Sequence, residues 1–208
     1  MGDWLADPES KPAPEPLARV QALVNTADLE SGGDRLATVD TAEPWLRAHG
    51  LLPAGGTVTP QELDEIRRVR EALRALLVRN AGGPPPTPED LRPLSRIADT
   101  ATARVHLRPD GALDVAADAE SLTGRLLSLL LIVSEAQRDG SWAQLKACGN
   151  ANCRWAFYDR SRNHGGTWCD MATCGNKLKN REFRARRNRT SGGQVPDQGG
   201  GQRTEAVE

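Results

Sequence analysis

All four cysteines of this 208-residue chain lie close together, and their spacing is regular. Four residues separate Cys148 from Cys153, four separate Cys169 from Cys174, and fifteen separate the two pairs. Thiolate is a ligand that zinc prefers, and four thiolates form a closed tetrahedral site with no open position for a catalytic water. We therefore predict that these four side chains bind one structural Zn²⁺ ion.

Other uses of the cysteines stay open. They could be buried free thiols, or a redox sensor in which an oxidant expels zinc and disulfides form. His164 lies between the two pairs and could replace one cysteine as a ligand. The reducing cytosol, where we expect this chain, disfavours two structural disulfides, so metal binding is the leading interpretation.

Turn-forming residues follow the first and the last cysteine. The tripeptide Cys-Gly-Asn occurs at both places, with Gly149 and Asn150 in the first and Gly175 and Asn176 in the second. A chain that folds back so that its amides face a sulfur needs a backbone free of Cβ clashes, which glycine provides. This repetition predicts two similar tight turns around the metal.

Charge is divided unevenly along the chain. Residues 1–145 hold 15 basic and 22 acidic side chains, whereas residues 146–190 hold 11 basic and 3 acidic ones, although the whole chain carries a formal net charge of −1. This asymmetry predicts an acidic body joined to a module that binds a polyanion, and nucleic acid is the obvious candidate. The residues we expect to contact it are Arg160, Arg162, Lys177, Lys179, Arg181, Arg184 and Arg187.

The basic segment after Cys174 favours a helix. Lys177, Arg181 and Arg184 would share one face of it by their spacing. DNA is the first candidate partner, and RNA or the ribosome is the alternative, because phosphate contacts carry no sequence information. The charges could also do no more than keep a solvated helix soluble.

The preceding body must position this module, and its pattern is mainly helical. Thr59 followed by Pro60, and Thr87 followed by Pro88, are typical of capped helix starts. A segment that is apolar on nearly all sides, from Ala119 to Asp139, predicts a central helix ended by Gly140. Alternating apolar residues on both sides of a Pro-Asp-Gly sequence predict one β-hairpin, and these residues are Val105, Leu107, Leu113 and Val115.

These patterns together predict an α+β fold, in which a mainly helical body with one hairpin precedes a small four-cysteine zinc finger that ends in a basic helix. We expect a disordered leader over 1–16, the body over 17–141, the zinc module over 142–189 and a disordered tail over 190–208.

Four polar or aromatic residues of the body are candidates for an effector pocket. They are Asn25, Thr26, Asp40 and Trp45. The alternative is that they cap helices and anchor packing. A small-molecule effector and a homodimer are the further partners that we consider for the body.

Two segments resemble a known family. "CGNANCRWAFYDRSRN" followed by "WCDMATCGNK" resembles the CGNR zinc finger, and "ALVNTADLE" with "DRLATVDTAEPWLRAHGLL" resembles the ABATE domain of bacterial stress-induced transcription regulators. The resemblance spans about residues 17–189 and implies an α+β body, one zinc ion and DNA binding. Two features depart from the family pattern: Lys177 replaces the arginine of CGNR, and Gly165, Gly166 and Thr167 stand where more basic residues are common.

Several other classes of function find no support in the sequence. The chain has three histidines, and no P-loop, dinucleotide-binding loop or Ser-His-Asp set is apparent, so we expect no catalytic residues and no enzyme. The longest apolar run, residues 126–133, is too short to cross a bilayer. The first 17 residues lack the features of a secretory signal. We therefore expect a cytoplasmic protein, associated with the nucleoid when it is bound to DNA.

Overall fold

Capped helices build most of the body. The structure is a computed structural model, and it describes residues 9–53 and 55–176. The side chains of Thr59 and Thr87 each accept a hydrogen bond from the backbone N–H three residues on. In turn, the side chains of Glu62 and Asp90 accept from the backbone N–H of the capping threonine, as the sequence predicts. Thr38 and Thr41 cap a third helix in the same way. These helices are α2 (Val39–Ala48), α3 (Pro60–Asn80) and α4 (Pro88–Thr100).

The central helix is confirmed. Helix α5 (Leu122–Asp139) buries Leu126, Leu129 and Val133 among side chains of the other helices. It begins at Leu122, three residues after the predicted start at Ala119, and Ser121 caps it by accepting a hydrogen bond from the backbone N–H of Gly124. It ends at Gly140, which takes the left-handed conformation (φ 83°) that a residue with a Cβ rarely adopts.

The first helix is short. Helix α1 (Ala18–Val24) ends directly before Asn25 and Thr26. The chain then forms a two-residue strand, β1 (Ala27–Asp28), which pairs with β2 (Gly33–Asp34). The helix ends here because the side chains of Asn25 and Thr26 form hydrogen bonds with other parts of the protein.

The predicted hairpin is also confirmed. Strands β3 (Ala103–Leu107) and β4 (Leu113–Ala117) pair antiparallel, with Val105 opposite Val115 and Leu107 opposite Leu113. A third antiparallel pair, which the sequence pattern did not predict, joins β5 (Leu145–Ala147) to β6 (Ala156–Tyr158). A 3₁₀ turn over Ser141–Gln144 connects α5 to β5.

The structure differs from the expected disordered leader over residues 9–16. Ala13 is buried, and its backbone N–H donates to the side-chain oxygen of Gln21 at 2.7 Å. The N–H of Tyr158 donates to the carbonyl oxygen of Lys11 at 3.0 Å, so this segment lies along strand β6. We call residues 9–13 the N-terminal strap. Composition missed it because its anchors are backbone groups and single side chains rather than an apolar run.

The α+β fold class is confirmed for the described residues. One apolar core extends from α1 across the expected boundary at residue 142, since Trp142, Leu145 and Tyr158 belong to it. The domain limits therefore stay a proposal, and the predicted basic helix lies outside the described residues. None of the helices that the structure describes is long and apolar enough to span a membrane.

Candidate metal centre

The first cysteine pair sits at the end of a short hairpin. Cys148 directly follows β5, and Cys153 precedes β6 by three residues. The backbone N–H of Cys148 donates to the carbonyl of Trp155 at 2.9 Å, and the N–H of Cys153 donates to that of Asn150. Pairing of the two strands therefore brings these cysteines together at one turn.

The second pair is positioned by a single π-helical turn, Met171–Gly175. Asp170 caps this turn by accepting a hydrogen bond from the backbone of Thr173 at 2.8 Å. Cys169 lies just before the turn and Cys174 within it. Another backbone bond, from the N–H of Gly149 to the carbonyl of Thr167 at 2.9 Å, joins this pair to the first.

The four sulfur atoms lie close enough to bind one ion. All four cysteines are buried, and their Sγ atoms lie within 4.8 Å of one another. The Sγ of Cys169 is 3.7 Å from those of Cys153 and Cys174. A tetrahedral zinc site with Zn–S bonds of about 2.3 Å has S···S edges of about 3.8 Å, whereas a disulfide bond is about 2.05 Å long. The spacing therefore fits tetrahedral zinc.

The electrostatics of the cluster also favour a cation. Hydrogen bonds from the thiols of Cys153 and Cys169 lower the pKa of Cys148, and the same contact with Cys148 raises the pKa of Cys169. Among Cys148, Cys153 and Cys169 the negative charge is thus concentrated on Cys148, because neighbouring thiolates repel each other. A bound divalent cation removes this conflict, since thiols that coordinate it are deprotonated.

Two glycines beside the cluster are closely packed against neighbouring side chains. A Cβ on Gly149 would lie 2.9 Å from the Thr167 side chain, and one on Gly175 would lie 2.8 Å from the sulfur of Met171. Both distances are too short for ordinary contacts. The repeated Cys-Gly pair thus reflects close packing at both turns, as the sequence suggested. The amide of Asn150 also points at the Sγ of Cys174, 3.7 Å away.

His164 lies outside the cysteine cluster. Its Nδ1 is 3.2 Å from the carbonyl oxygen of Asp159, and the residue has a positive φ of 45°. It therefore helps to shape the loop between the pairs. The group of potential metal ligands found among the described residues consists of the four cysteines.

Sequence reasoning missed a buried ion pair beneath this loop. Lys146 on β5 and Asp159 after β6 are both buried, and Lys146 Nζ lies 2.8 Å from Asp159 Oδ2. Asp159 also accepts backbone N–H bonds from Ser161 and Gly166. Burial alone would raise the pKa of Asp159, but these hydrogen bonds outweigh it and lower the pKa. A lone lysine and aspartate 13 residues apart carry no sequence signal of such a pair.

Asn25 joins the body to the module. Its side-chain oxygen accepts from the N–H of Ala156 at 2.7 Å, and its amide donates to the carbonyl of the same residue at 2.9 Å. The amide also donates to Glu9, whose other oxygen accepts from the indole N–H of Trp155. Asn25 thus pairs with strand β6 in the way that a neighbouring strand would.

The other three candidates for an effector pocket each make contacts in a different part of the body. Thr26 donates to the carbonyl of Leu23 and accepts from Arg70, Trp45 stacks on the ring of His49, and Asp40 is in the first turn of α2. These contacts match the packing alternative. A groove of about 750 Å³ lies between α3 and α4, and none of the four residues lines it. An effector pocket at these residues stays a prediction.

Two further polar side chains of α3 also join the body to the module. Arg74 donates to the carbonyl oxygens of Val24 and Arg154, at 2.7 and 3.0 Å, and pairs with Glu71. Asn80, the last residue of α3, donates to the carbonyls of Trp142 and Leu145. Sequence reasoning missed these residues because they are of polar types that usually face solvent on a helix.

Two of the predicted nucleic-acid residues fall within the described part of the chain. Arg160 and Arg162 are exposed in the loop after β6. The guanidinium of Arg160 lies over the ring of Tyr158 at 5.5 Å and donates to the carbonyl of Pro12 in the strap. Lys177, Lys179, Arg181, Arg184 and Arg187 lie outside the described residues.

Comparison with protein families agrees with this architecture. Residues 17–136 match the ABATE model, described as "putative stress-induced transcription regulator". The chain belongs to the ABATE family. Residues 144–187 of this ABATE protein match the CGNR zinc finger. A comparison with curated proteins gave no match.

The family assignment explains the cofactor. A CGNR zinc finger with four cysteine sulfurs in one cluster can bind one zinc ion, so the predicted cofactor is confirmed. The two families of this ABATE protein are a regulator and a zinc finger, and neither is an enzyme family. Both family descriptions are consistent with a regulator that has a zinc-binding module.

Proposed function

We propose that this protein is a zinc-dependent, DNA-binding transcription regulator, in which Cys148, Cys153, Cys169 and Cys174 are the four ligands of one structural zinc ion. The observation that carries the proposal is the buried cluster of four sulfurs inside a segment that matches the CGNR zinc finger. Structural zinc contributes about 10–16 kcal/mol in small zinc-finger peptides. In this proposal the metal stabilises the two turns that hold the cysteine pairs, next to which the basic residues lie in the sequence.

The exposed charge of the described module supports a polyanionic partner. Asp159 is buried against Lys146, and Asp170 accepts hydrogen bonds from its own turn. Arg154, Arg160 and Arg162 are exposed. Cations are thus left on the surface of the module while its acidic groups are engaged, which is the electrostatic character of a phosphate-binding surface.

We expect the basic residues after Asn176 to bind the same polyanionic partner. Lys177, Arg181 and Arg184 follow Cys174 by three, seven and ten residues, so they lie close to this proposed zinc ligand in the sequence. Lys179 and Arg187 add two further cations. We expect them to contact phosphates and therefore to make binding depend steeply on salt.

The salt dependence of DNA binding tests this role. The double variant Arg181→Ala/Arg184→Ala should bind all DNA sequences more weakly, and the slope of log affinity against log salt should fall by about 0.9 for each phosphate that is no longer neutralised. Zinc content serves as the control and should not change. Unchanged affinity would mean that Arg181 and Arg184 do not contact DNA. Arg160 and Arg162 would then be the remaining candidates.

Genome-wide mapping of bound DNA distinguishes the partners. Wild-type protein should enrich discrete genomic sites, and Cys174→Ser should not. Recovery of ribosomal RNA as the dominant ligand of wild-type protein would contradict the DNA proposal and favour the RNA-associated alternative. In this proposal the protein works in the cytoplasm at the nucleoid, and its body senses an effector under stress or mediates dimerisation.

A further inference from the structure

The N-terminal strap is held between the body and the zinc module. The N–H of Tyr158 in β6 donates to the carbonyl of Lys11 at 3.0 Å, and this carbonyl also accepts from the side chain of Gln21 at 3.1 Å. Gln21 is a buried residue of α1, and its side-chain oxygen accepts from the N–H of Ala13. Helix α1 and strand β6 therefore fix the position of the strap from two sides.

Two side chains of the strap bond to the segment that carries the second cysteine pair. Lys11 Nζ donates to the carbonyl of Trp168 at 2.7 Å, and the hydroxyl of Ser10 donates to the carbonyl of Cys169 at 3.4 Å. Cys169 is one of the four clustered cysteines, and Trp168 packs against that cluster. These bonds place the strap directly beside the metal centre.

Lys11 also lies over the apolar residue of the cysteine cluster. Its ammonium is 4.9 Å from the centroid of the Phe157 ring, and Phe157 is 1% exposed. A cation is attracted to the face of an aromatic ring. A cation also suits the neighbourhood of a zinc site with four thiolates, because their charge outweighs that of the ion. One side chain thus covers the cluster and complements its charge.

The two cysteine pairs are anchored differently. The first pair lies at the end of the β5–β6 hairpin, whose residues Leu145, Ala147 and Ala156 belong to the main core. The second pair follows the loop after β6, and two hydrogen bonds from the strap help to connect it to the body. Local opening of a protein begins where few buried contacts hold a segment. The second pair is therefore the side from which the metal centre can open.

We propose that the N-terminal strap is a lid that controls the release of zinc from the metal centre. While the strap is docked, Ser10 and Lys11 hold the second cysteine pair in place and keep Phe157 covered. When it undocks, these contacts are lost together and a competing ligand can reach the sulfurs. The closed four-sulfur site otherwise offers such a ligand no open position. This inference rests on the zinc ligands of the proposed function and not on DNA binding.

The rate of zinc release from the full zinc-loaded chain to an excess of a colorimetric chelator tests the proposal. Lys11→Met removes the ammonium but keeps most of the side-chain length, so zinc should leave about tenfold faster than from wild type. Lys11→Arg keeps a cation that can donate to the carbonyl of Trp168, so it should release zinc about as slowly as wild type. Metal analysis should first show one zinc ion in each protein.

Val69→Ala is the control for a general loss of stability. Val69 is fully buried in α3, so this variant should unfold at a lower urea concentration than Lys11→Met, yet release zinc at the wild-type rate. Hydrogen exchange of the Tyr158 amide, which donates to Lys11, is a second readout of the docked strap. It should be faster in Lys11→Met than in Lys11→Arg.

Equal rates of zinc release from Lys11→Met and wild type would overturn the proposal. Equal acceleration by Val69→Ala would also overturn it, because zinc would then leave through general unfolding. Either result, obtained with one zinc ion per wild-type chain, would leave the proposed zinc ligands and DNA binding intact. A wild-type chain that holds no zinc would refute both the lid and the proposed metal centre.

Discussion

The body and the zinc module are held together by different chemistry. The body surrounds α5 and α3 with a large set of fully buried aliphatic side chains. The cluster at the tip of the module holds five buried residues, Phe157 and the four cysteines, and Trp155 and Trp168 pack against it. Apolar burial can stabilise the first region, whereas the second is too small for that and depends on metal and on polar contacts with the body.

The contrast teaches how a small module can be fixed to a larger one. Gln21, Asn25 and Arg74 use side-chain groups to satisfy backbone groups of the module, which would otherwise be buried without hydrogen-bond partners. The N-terminal strap also bonds to β6, through the carbonyl of Lys11. The module is therefore an extension of the body's hydrogen-bond network, with the metal centre at its far end.

The largest effect should come from the metal ligands. Cys174→Ser should abolish stoichiometric zinc binding and remove a contribution of about 10–16 kcal/mol, so the turns around the site unfold while the helices of the body persist. Metal analysis measures the first effect and circular dichroism the second. Ala172→Ser, which introduces the same side chain at an exposed position of the same turn, should retain one zinc ion.

A charge in the core of the body should be nearly as damaging. Leu129 is 1% exposed in α5, so Leu129→Asp should lower the free energy of unfolding by about 4 kcal/mol or more. Gln137→Asp, on the exposed side of the same helix, should change it little. Equal stability of the two variants in urea unfolding would show that α5 is not central to the body.

The buried ion pair predicts a smaller but characteristic pattern. Lys146→Met leaves Asp159 charged and buried without its partner, which should cost about 3–5 kcal/mol. The double variant Lys146→Met/Asp159→Asn should recover much of this loss, because no buried charge remains. A double variant as unstable as the single one would mean that the pair does not act as a unit; urea unfolding of all three proteins measures this.

The same pair gives a pH dependence. The pKa of Asp159 is lowered in the folded protein, so its stabilising effect is complete above the unfolded-state pKa of about 4 and decreases as the pH falls below that value. Asp159→Asn should therefore cost less stability at about pH 3 than at about pH 7. An equal cost at both pH values in urea unfolding would contradict the lowered pKa.

The contact through Asn25 should show the smallest effect. Asn25→Ala leaves the N–H and carbonyl of Ala156 without these partners, at a cost of about 1–3 kcal/mol in urea unfolding. Zinc affinity should also weaken, because β6 leads out of the first cysteine turn. Asn163→Ala, an exposed asparagine in the next loop, is the control and should match wild type in both measurements.

Local rules in the sequence predicted much of this fold. Thr59, Thr87 and Gly140 mark helix ends through contacts within a few residues, and the cysteine spacing reflects two tight turns. Several of the contacts that were missed join residues far apart in the chain. Asn25 and Ala156 are 131 residues apart. A single side-chain amide that bonds to the backbone of a strand leaves no periodic pattern from which it could be predicted. The strap was missed for the same reason.

The most direct test of the central claim is DNA binding by one preparation in three states. Fluorescence anisotropy should give tight, salt-dependent binding for zinc-loaded protein, a loss of at least about tenfold after zinc is removed, and recovery when one equivalent of zinc is returned. The same affinity and the same salt slope with and without zinc would contradict the claim that the metal centre makes this protein a DNA-binding regulator.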